Sequence, residues 1–223
     1  MTKDDGFASP VVKICGLTNL MDAQVAVDAG ADYLGFIFVQ RSPRHVTPYN
    51  AREIVARLDR TRKRPLLVGV FVNATEEEIA WTLSTCQLDL AQLHGEEPPE
   101  MLTALSGRAF KALRPRSIEK ARQQAARYGS FGPVDGPDLL VDAFHPSVHG
   151  GTGHTGDWDL AADLSPTCRL LLAGGLKTSN VASAIDQVRP WGVDVASGVE
   201  KSPGRKDHAS VRGFIAAVKH AAG

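Results

Sequence analysis

Short apolar runs recur along the chain, each followed by an amphipathic stretch. Val11-Val12-Lys13-Ile14 is β-branched and breaks at Gly16 before Thr18 and Asn19, which suit a helix cap. From Met21, apolar residues return at helical spacing until Gly30, a natural stop. The same alternation predicts strands at Ala31–Phe38, Pro65–Val72, Leu88–Leu93, Phe110–Leu113, Asp138–Asp142, Arg169–Ala173 and Gly192–Ala196. Between them it predicts helices from Asn50 through Leu58, from a capping box at Thr75 to about Ser84, after Pro98-Pro99, and over Ile118–Tyr128. Asn180–Val188 and Asp207–Ala221 complete the series, and no helix is assigned between the sixth and seventh strands.

Strands separated by helices pair in parallel, and eight such units predict an α/β fold closed as a (β/α)₈ barrel. A doubly wound open sheet is the structural alternative, though it normally needs fewer strands. The expected organisation is a polar, disordered tail over residues 1–9 and one barrel domain over 10–223.

Composition narrows the partners. Hydrophobic residues make up 43% of the 223, enough for a sizeable core. The formal net charge is zero and the pI is about 7.1, so no global basic field points to nucleic acid or anionic membranes. No segment is apolar for long enough to span a bilayer. Three widely spaced cysteines without a CxxC pair suit a reducing compartment, and the polar start lacks the apolar core of a signal peptide. A cytoplasmic protein acting on a small neutral or anionic metabolite is expected.

In such barrels, chemistry collects at the carboxyl ends of the strands. Cys15, Arg44, His94, Asp142, Gly174-Gly175 and Ser197-Gly198 all fall there. Each has a plain alternative: a small hydrophobe for Cys15, a solvated arginine for Arg44, a satisfied core histidine for His94, a loop-starting carboxylate for Asp142. The glycines after the last two strands are more specific, because they let backbone N–H groups approach a phosphate. Alternation along the first strand puts Lys13 and Cys15 on one face; if that face lines the barrel, Lys13 needs a counter-charge, and Asp194 on the neighbouring last strand is the expected partner. A thiol at a strand end is expected to ionise more readily than one sealed in a core. His145, His149 and His154 with Asp142 match no standard ligand spacing, so no metal is predicted.

Taken together, the motifs resemble the phosphoribosylanthranilate isomerases. They are Lys13-Ile14-Cys15-Gly16-Leu17-Thr18-Asn19, Gly30-Ala31-Asp32 with Leu34-Gly35-Phe36, Ser42-Pro43-Arg44 before Thr47-Pro48, Val68-Gly69-Val70-Phe71-Val72-Asn73, Gln92-Leu93-His94-Gly95-Glu96-Glu97, Leu140-Val141-Asp142, Gly150-Gly151-Thr152-Gly153 with Asp157-Trp158, Ala173-Gly174-Gly175-Leu176, Val193-Asp194-Val195-Ala196-Ser197-Gly198-Val199-Glu200, Pro203-Gly204 and Lys206-Asp207. The resemblance implies an Amadori rearrangement of N-(5′-phosphoribosyl)anthranilate in tryptophan biosynthesis, with no cofactor and no metal. It implies Asp142 as general acid and Cys15 as general base, with Arg44 on the anthranilate carboxylate. It places Gly174, Gly175, Ser197 and Gly198 on the phosphate, His94 and Asp194 in the substrate-binding set, and the chain as a monomer or homodimer. Gly156 stands where the family has an aromatic residue before Asp157-Trp158. Three competing functions share the barrel. A histidine-pathway isomerase of this fold carries an aspartate where Cys15 stands, a metal-dependent epimerase needs His and Asp ligands from several strand ends, and a catalytically silent phosphosugar-binding barrel needs neither Cys15 nor Asp142.

Overall fold

Eight parallel strands close into a barrel in chain order in the computed structural model, which describes residues 9–59, 64–143 and 158–221. The strands are β1 (Val11–Ile14), β2 (Tyr33–Ile37), β3 (Leu66–Phe71), β4 (Leu90–Leu93), β5 (Ala109–Leu113), β6 (Leu139–Asp142), β7 (Leu170–Ala173) and β8 (Gly192–Val195). Helices α1 (Leu20–Ala29), α2 (Pro48–Arg57), α3 (Glu76–Thr85), α4 (Pro99–Ala104), α5 (Ile118–Tyr128), α6 (Trp158–Leu164), α7 (Val181–Val188) and α8 (His208–His220) follow them in turn. Parallel neighbours need such crossovers, because a tight turn cannot return a chain to the same end of a sheet. The open-sheet alternative is excluded by β1 pairing with both β2 and β8.

Local chemistry explains most boundaries. Asn19 caps α1 by accepting from the Asp22 N–H, and Gly30 ends it with φ of 95°. The capping box at Thr75 forms with Glu78. Asn50 does not cap α2: Thr47 does, accepting from the Asn50 N–H, with Pro48 as the first helical residue. The hydrophobic pattern also missed α6 and a short hairpin after β8, β9 (Glu200–Ser202) with β10 (Arg205–Lys206).

Two apolar layers result. The inner one fills the barrel with Tyr33, Val68, Leu90, Phe110, Leu140 and Leu171, and the outer one joins the strands to the helices. The interior is a packed core, so open space is left only above it, at the carboxyl ends of the strands. Tail residues 1–8, and the segment carrying His145, His149, Gly150-Gly151-Thr152-Gly153, His154, Gly156 and Asp157, lie outside the described residues.

Candidate active site

A cavity of about 650 Å³ opens at the carboxyl ends of the strands. Cys15, Arg44, His94, Asp142, Gly174, Gly175, Asp194 and Ser197 line it, drawn from six different strand ends and the loops after them. Gly198 is set behind the lining. Its backbone packs so closely on the Leu176 carbonyl that a Cβ there would come within 1.8 Å of that oxygen.

At the floor, Lys13 is fully buried and its Nζ lies 2.9 Å from Asp194 Oδ1. The strand register places the two directly opposite each other, which is the ion pair expected from alternation. Burial works against the Lys13 charge, but the Asp194 carboxylate and the Cys15 sulfur together hold the ammonium above its ordinary value. Cys15 continues the same face, 5% exposed. Burial pushes its thiol up, and the nearby Lys13 ammonium only partly offsets this. The expectation of an easily ionised thiol is therefore corrected: the desolvation at the barrel mouth favours the neutral form. Space for the thiol comes from Gly35 on β2, where any Cβ would lie 2.7 Å from Sγ.

Across the cavity, Asp142 ends β6 and accepts from Arg114 Nε at 3.1 Å through Oδ2. The same oxygen lies 3.8 Å from His94 Nε2. Burial, then the Arg114 charge, brings His94 down to about 4, so its imidazole is neutral at physiological pH. Gln92, two residues earlier on β4, sits 3.2 Å from His94 Nδ1 through its amide nitrogen. Among the described residues, neither Gln92 Oε1 nor His94 Nε2 has a hydrogen-bond partner.

At the rim, Arg44 gives its Nε and Nη2 to the buried Glu200 carboxylate, at 2.9, 3.1 and 2.7 Å. Glu200 also accepts from Lys206 Nζ at 3.0 Å, and Lys206 in turn donates to the Ala196 carbonyl at 2.9 Å. The hairpin thus ties the arginine arm to the loop after β8. Burial would raise the Glu200 carboxyl, but the two cations hold it below its ordinary value. At the opposite side, Gly174 and Gly175 adopt φ of 99° and 66°, turning backbone toward the cavity beside Ser197. Asn180 braces this loop, accepting from the Lys177 N–H and donating to the Gly175 carbonyl.

Sequence reasoning gave no role to Gln92, Arg114, Glu200 or Lys206. Gln92, Glu200 and Lys206 all belong to the family-like motifs, but only folding shows which side chain each one meets. Among the described residues, no group of three or more His, Cys, Asp or Glu side chains is arranged to hold a metal ion.

Comparison with known proteins gives a consistent result. The family model described as N-(5′-phosphoribosyl)anthranilate (PRA) isomerase matches residues 12–217. The N-(5′-phosphoribosyl)anthranilate isomerase of Pelobacter propionicus is 46% identical over 211 residues, covering 93% of this chain and 95% of that protein. Its namesake in Geobacter sulfurreducens is 46% identical over 213 residues, covering 93% and 98%. Among solved structures, phosphoribosyl anthranilate isomerase from Thermotoga maritima superposes with a TM-score of 0.83 at 42% identity, covering 95% of this chain and 99% of that one. A structure of such an isomerase in complex with reduced 1-(o-carboxyphenylamino)-1-deoxyribulose 5-phosphate gives 0.81 at 40%, covering 95% and 99%. With the thiol and carboxyl groups facing one cavity and a match running nearly end to end, this chain belongs to the N-(5′-phosphoribosyl)anthranilate isomerase family.

Proposed function

We propose that this chain converts N-(5′-phosphoribosyl)anthranilate into 1-(2-carboxyphenylamino)-1-deoxyribulose 5-phosphate, a step of L-tryptophan biosynthesis, by general acid–base catalysis. The observation that carries this reading is the placement of Cys15 and Asp142 on the walls of one cavity, with a guanidinium at its rim and paired glycines beyond. The reaction is an isomerisation with no net change of oxidation state, so a well-placed acid and base supply the chemistry it needs.

Asp142 protonates the ribose ring oxygen. The C1′–O bond breaks with its electron pair going to that oxygen, and the anilino nitrogen lone pair forms the C1′=N iminium. Cys15 then removes the C2′ proton. The C–H electrons become the C1′=C2′ bond, the iminium electrons return to nitrogen, and the resulting enolamine tautomerises to the ketone. This order suits the buried thiol: ring opening places a cation beside Cys15, which adds to Lys13 in favouring loss of the thiol proton to water in the open cavity, and the thiolate so formed takes the C2′ proton. Arg44, its Nε and Nη2 held by Glu200, is oriented to offer Nη1 to the anthranilate carboxylate. Gly174, Gly175 and Ser197, with Gly198 shaping the loop behind, hold the phosphate and so fix the ribose between acid and base. His94 lies beside Asp142, and Asp194 holds Lys13 beneath the substrate.

The test is loss of the substrate's fluorescence with purified protein. Turnover by the wild type is expected, with kcat cut by about 10²–10⁴ in both Cys15→Ala and Asp142→Asn. A wild type that is inactive on fresh substrate would overturn the reading. The expected setting is a monomer or homodimer in the cytoplasm. The free state of Cys15, Cys86 and Cys168 supports a reducing compartment, and a relative from Thermotoga maritima is described as dimeric.

A further inference from the structure

Resting on the acid role proposed for Asp142, we infer that Gln92 is a positioning residue for it, acting through His94. Gln92 fixes the tautomer of the neutral imidazole so that His94 Nε2–H faces the Asp142 carboxyl.

The geometry runs from the strand outward. Gln92 and His94 are two residues apart at the end of β4, so their side chains share the inward face. Gln92 is 2% exposed, and its amide nitrogen, which can only donate, sits 3.2 Å from His94 Nδ1. A neutral imidazole that accepts at Nδ1 carries its proton on Nε2. The opposite side of the ring demands the same tautomer. Nε2 faces Asp142 Oδ2 at 3.8 Å, and a lone pair there would be turned against a carboxyl oxygen. Burial and the surrounding cations keep the ring neutral, so the Nε2 proton stays a fixed donor and the ring does not compete as an acid. The charged groups facing His94 are Asp142 from β6, Arg114 and Lys111 from β5 and the segment after it, and Lys13 from β1; Asp194 on β8 lies beyond, against Asp142.

The consequence concerns Asp142. Arg114 Nε donates to Oδ2, and the buried, unpartnered His94 Nε2–H waits about 1 Å beyond hydrogen-bond length from the same oxygen. Arg114 and His94 both face Oδ2 of the proposed acid, which gives its proton to the ribose ring oxygen. Once that proton has passed to the ring oxygen, the new carboxylate draws in the His94 N–H, which stabilises charge that appears only as the reaction proceeds. Gln92 also borders the cavity, but its part in this scheme is played through His94. It decides which nitrogen carries the hydrogen, as partners of ligand imidazoles do in metal sites.

Nitrogen-15 NMR of histidine-labelled protein, with His94→Asn to assign the signal among seven histidines, reads the tautomer directly. The wild type is expected to show a protonated Nε2 and a bare Nδ1. A protonated Nδ1 would overturn the inference whatever the outcome for Gln92→Met. Gln92→Met keeps the length and removes the amide; it is expected to mix the tautomers, lower kcat about 10–100-fold, leave KM within a few-fold and shift the pH profile of kcat. A loss of kcat with the tautomer and pH profile unmoved would reduce Gln92 to a packing residue and overturn the relay. An unreactive wild type whose tautomer is nonetheless Nε2–H would instead count against the isomerase reading.

Discussion

Two buried lysine–carboxylate pairs, each with its lysine on a barrel strand, have nearly the same separation and do different things. Lys111 on β5 reaches Glu97 Oε2 at 2.8 Å and also donates to the carbonyls of Leu93 and Gly95. Glu97 accepts in turn from the N–H groups of Asn73 and Gly95. Every strong group in that pair is used, and the pair stands behind the cavity, bracing the loop that follows His94. Lys13 instead has one carboxylate, Asp194, and the sulfur of Cys15, and Asp194 and Cys15 both line the cavity. A fully satisfied buried pair is a strut, whereas one that spends part of its charge on a reactive group is poised for chemistry.

Single replacements should break the symmetry most visibly. Lys13→Met is expected to cut kcat by about 10² or more, because Cys15 loses its nearest cation. Alkylation of Cys15 should move to higher pH in this variant, read with Cys86 and Cys168 replaced by Ser. Lys111→Met leaves the Glu97 charge uncompensated and should cost about 3–5 kcal/mol in denaturant unfolding, with kcat of the folded protein within a few-fold of wild type. Equal loss of kcat in both variants would erase the distinction.

Apolar double replacement sharpens it. Lys13→Met with Asp194→Leu should recover most of the stability that Lys13→Met loses, without recovering turnover. Lys111→Met with Glu97→Leu should recover less, because the Asn73 and Gly95 N–H groups are then left without their acceptor.

The pairs also fail at opposite ends of the pH scale. Burial would raise Glu97, but Lys111 and the backbone donors hold it below its ordinary 4.5. Its contribution is present above 4.5 and lost as pH falls through the lowered value. Lys13 is held above its ordinary 10.5, so its contribution is full below 10.5 and lost as pH rises through the raised value. Calorimetric Tm against pH should show Lys111→Met flattening the acid limb and Lys13→Met the alkaline limb. The smallest effect belongs to the exposed Arg122–Asp163 pair at 2.5 Å, where Arg122→Ala should leave Tm unchanged because water replaces the contact.

The Lys13–Asp194 pair was legible in the sequence, and the Lys111–Glu97 pair was not. A lysine inside a strand of β-branched residues announces that it needs a partner, and barrel closure leaves one neighbouring strand to supply it. Glu97 sits in a loop where carboxylates are common, and nothing in its spacing points to Lys111, fourteen residues away. Arg44 shows a similar limit. Its position at a strand end suggested a free fork for a ligand, whereas the hairpin after β8 had already engaged two of its nitrogens through Glu200. The cap of α2 was misplaced because Thr47 and Asn50 are both good capping residues, and the Pro48 at the first helical position decides for Thr47.

By itself the sequence determined the alternation of strands and helices, the closure into eight units, and the set of groups at the carboxyl ends, because hydrophobic period and turn chemistry act over a few residues. Only the tertiary structure decided which of those groups share a wall, which cation each carboxylate meets, and whether a thiol is raised or lowered. Those outcomes depend on burial and on neighbours brought in from distant strands, and desolvation and Coulomb energies are set by distances that no local pattern encodes.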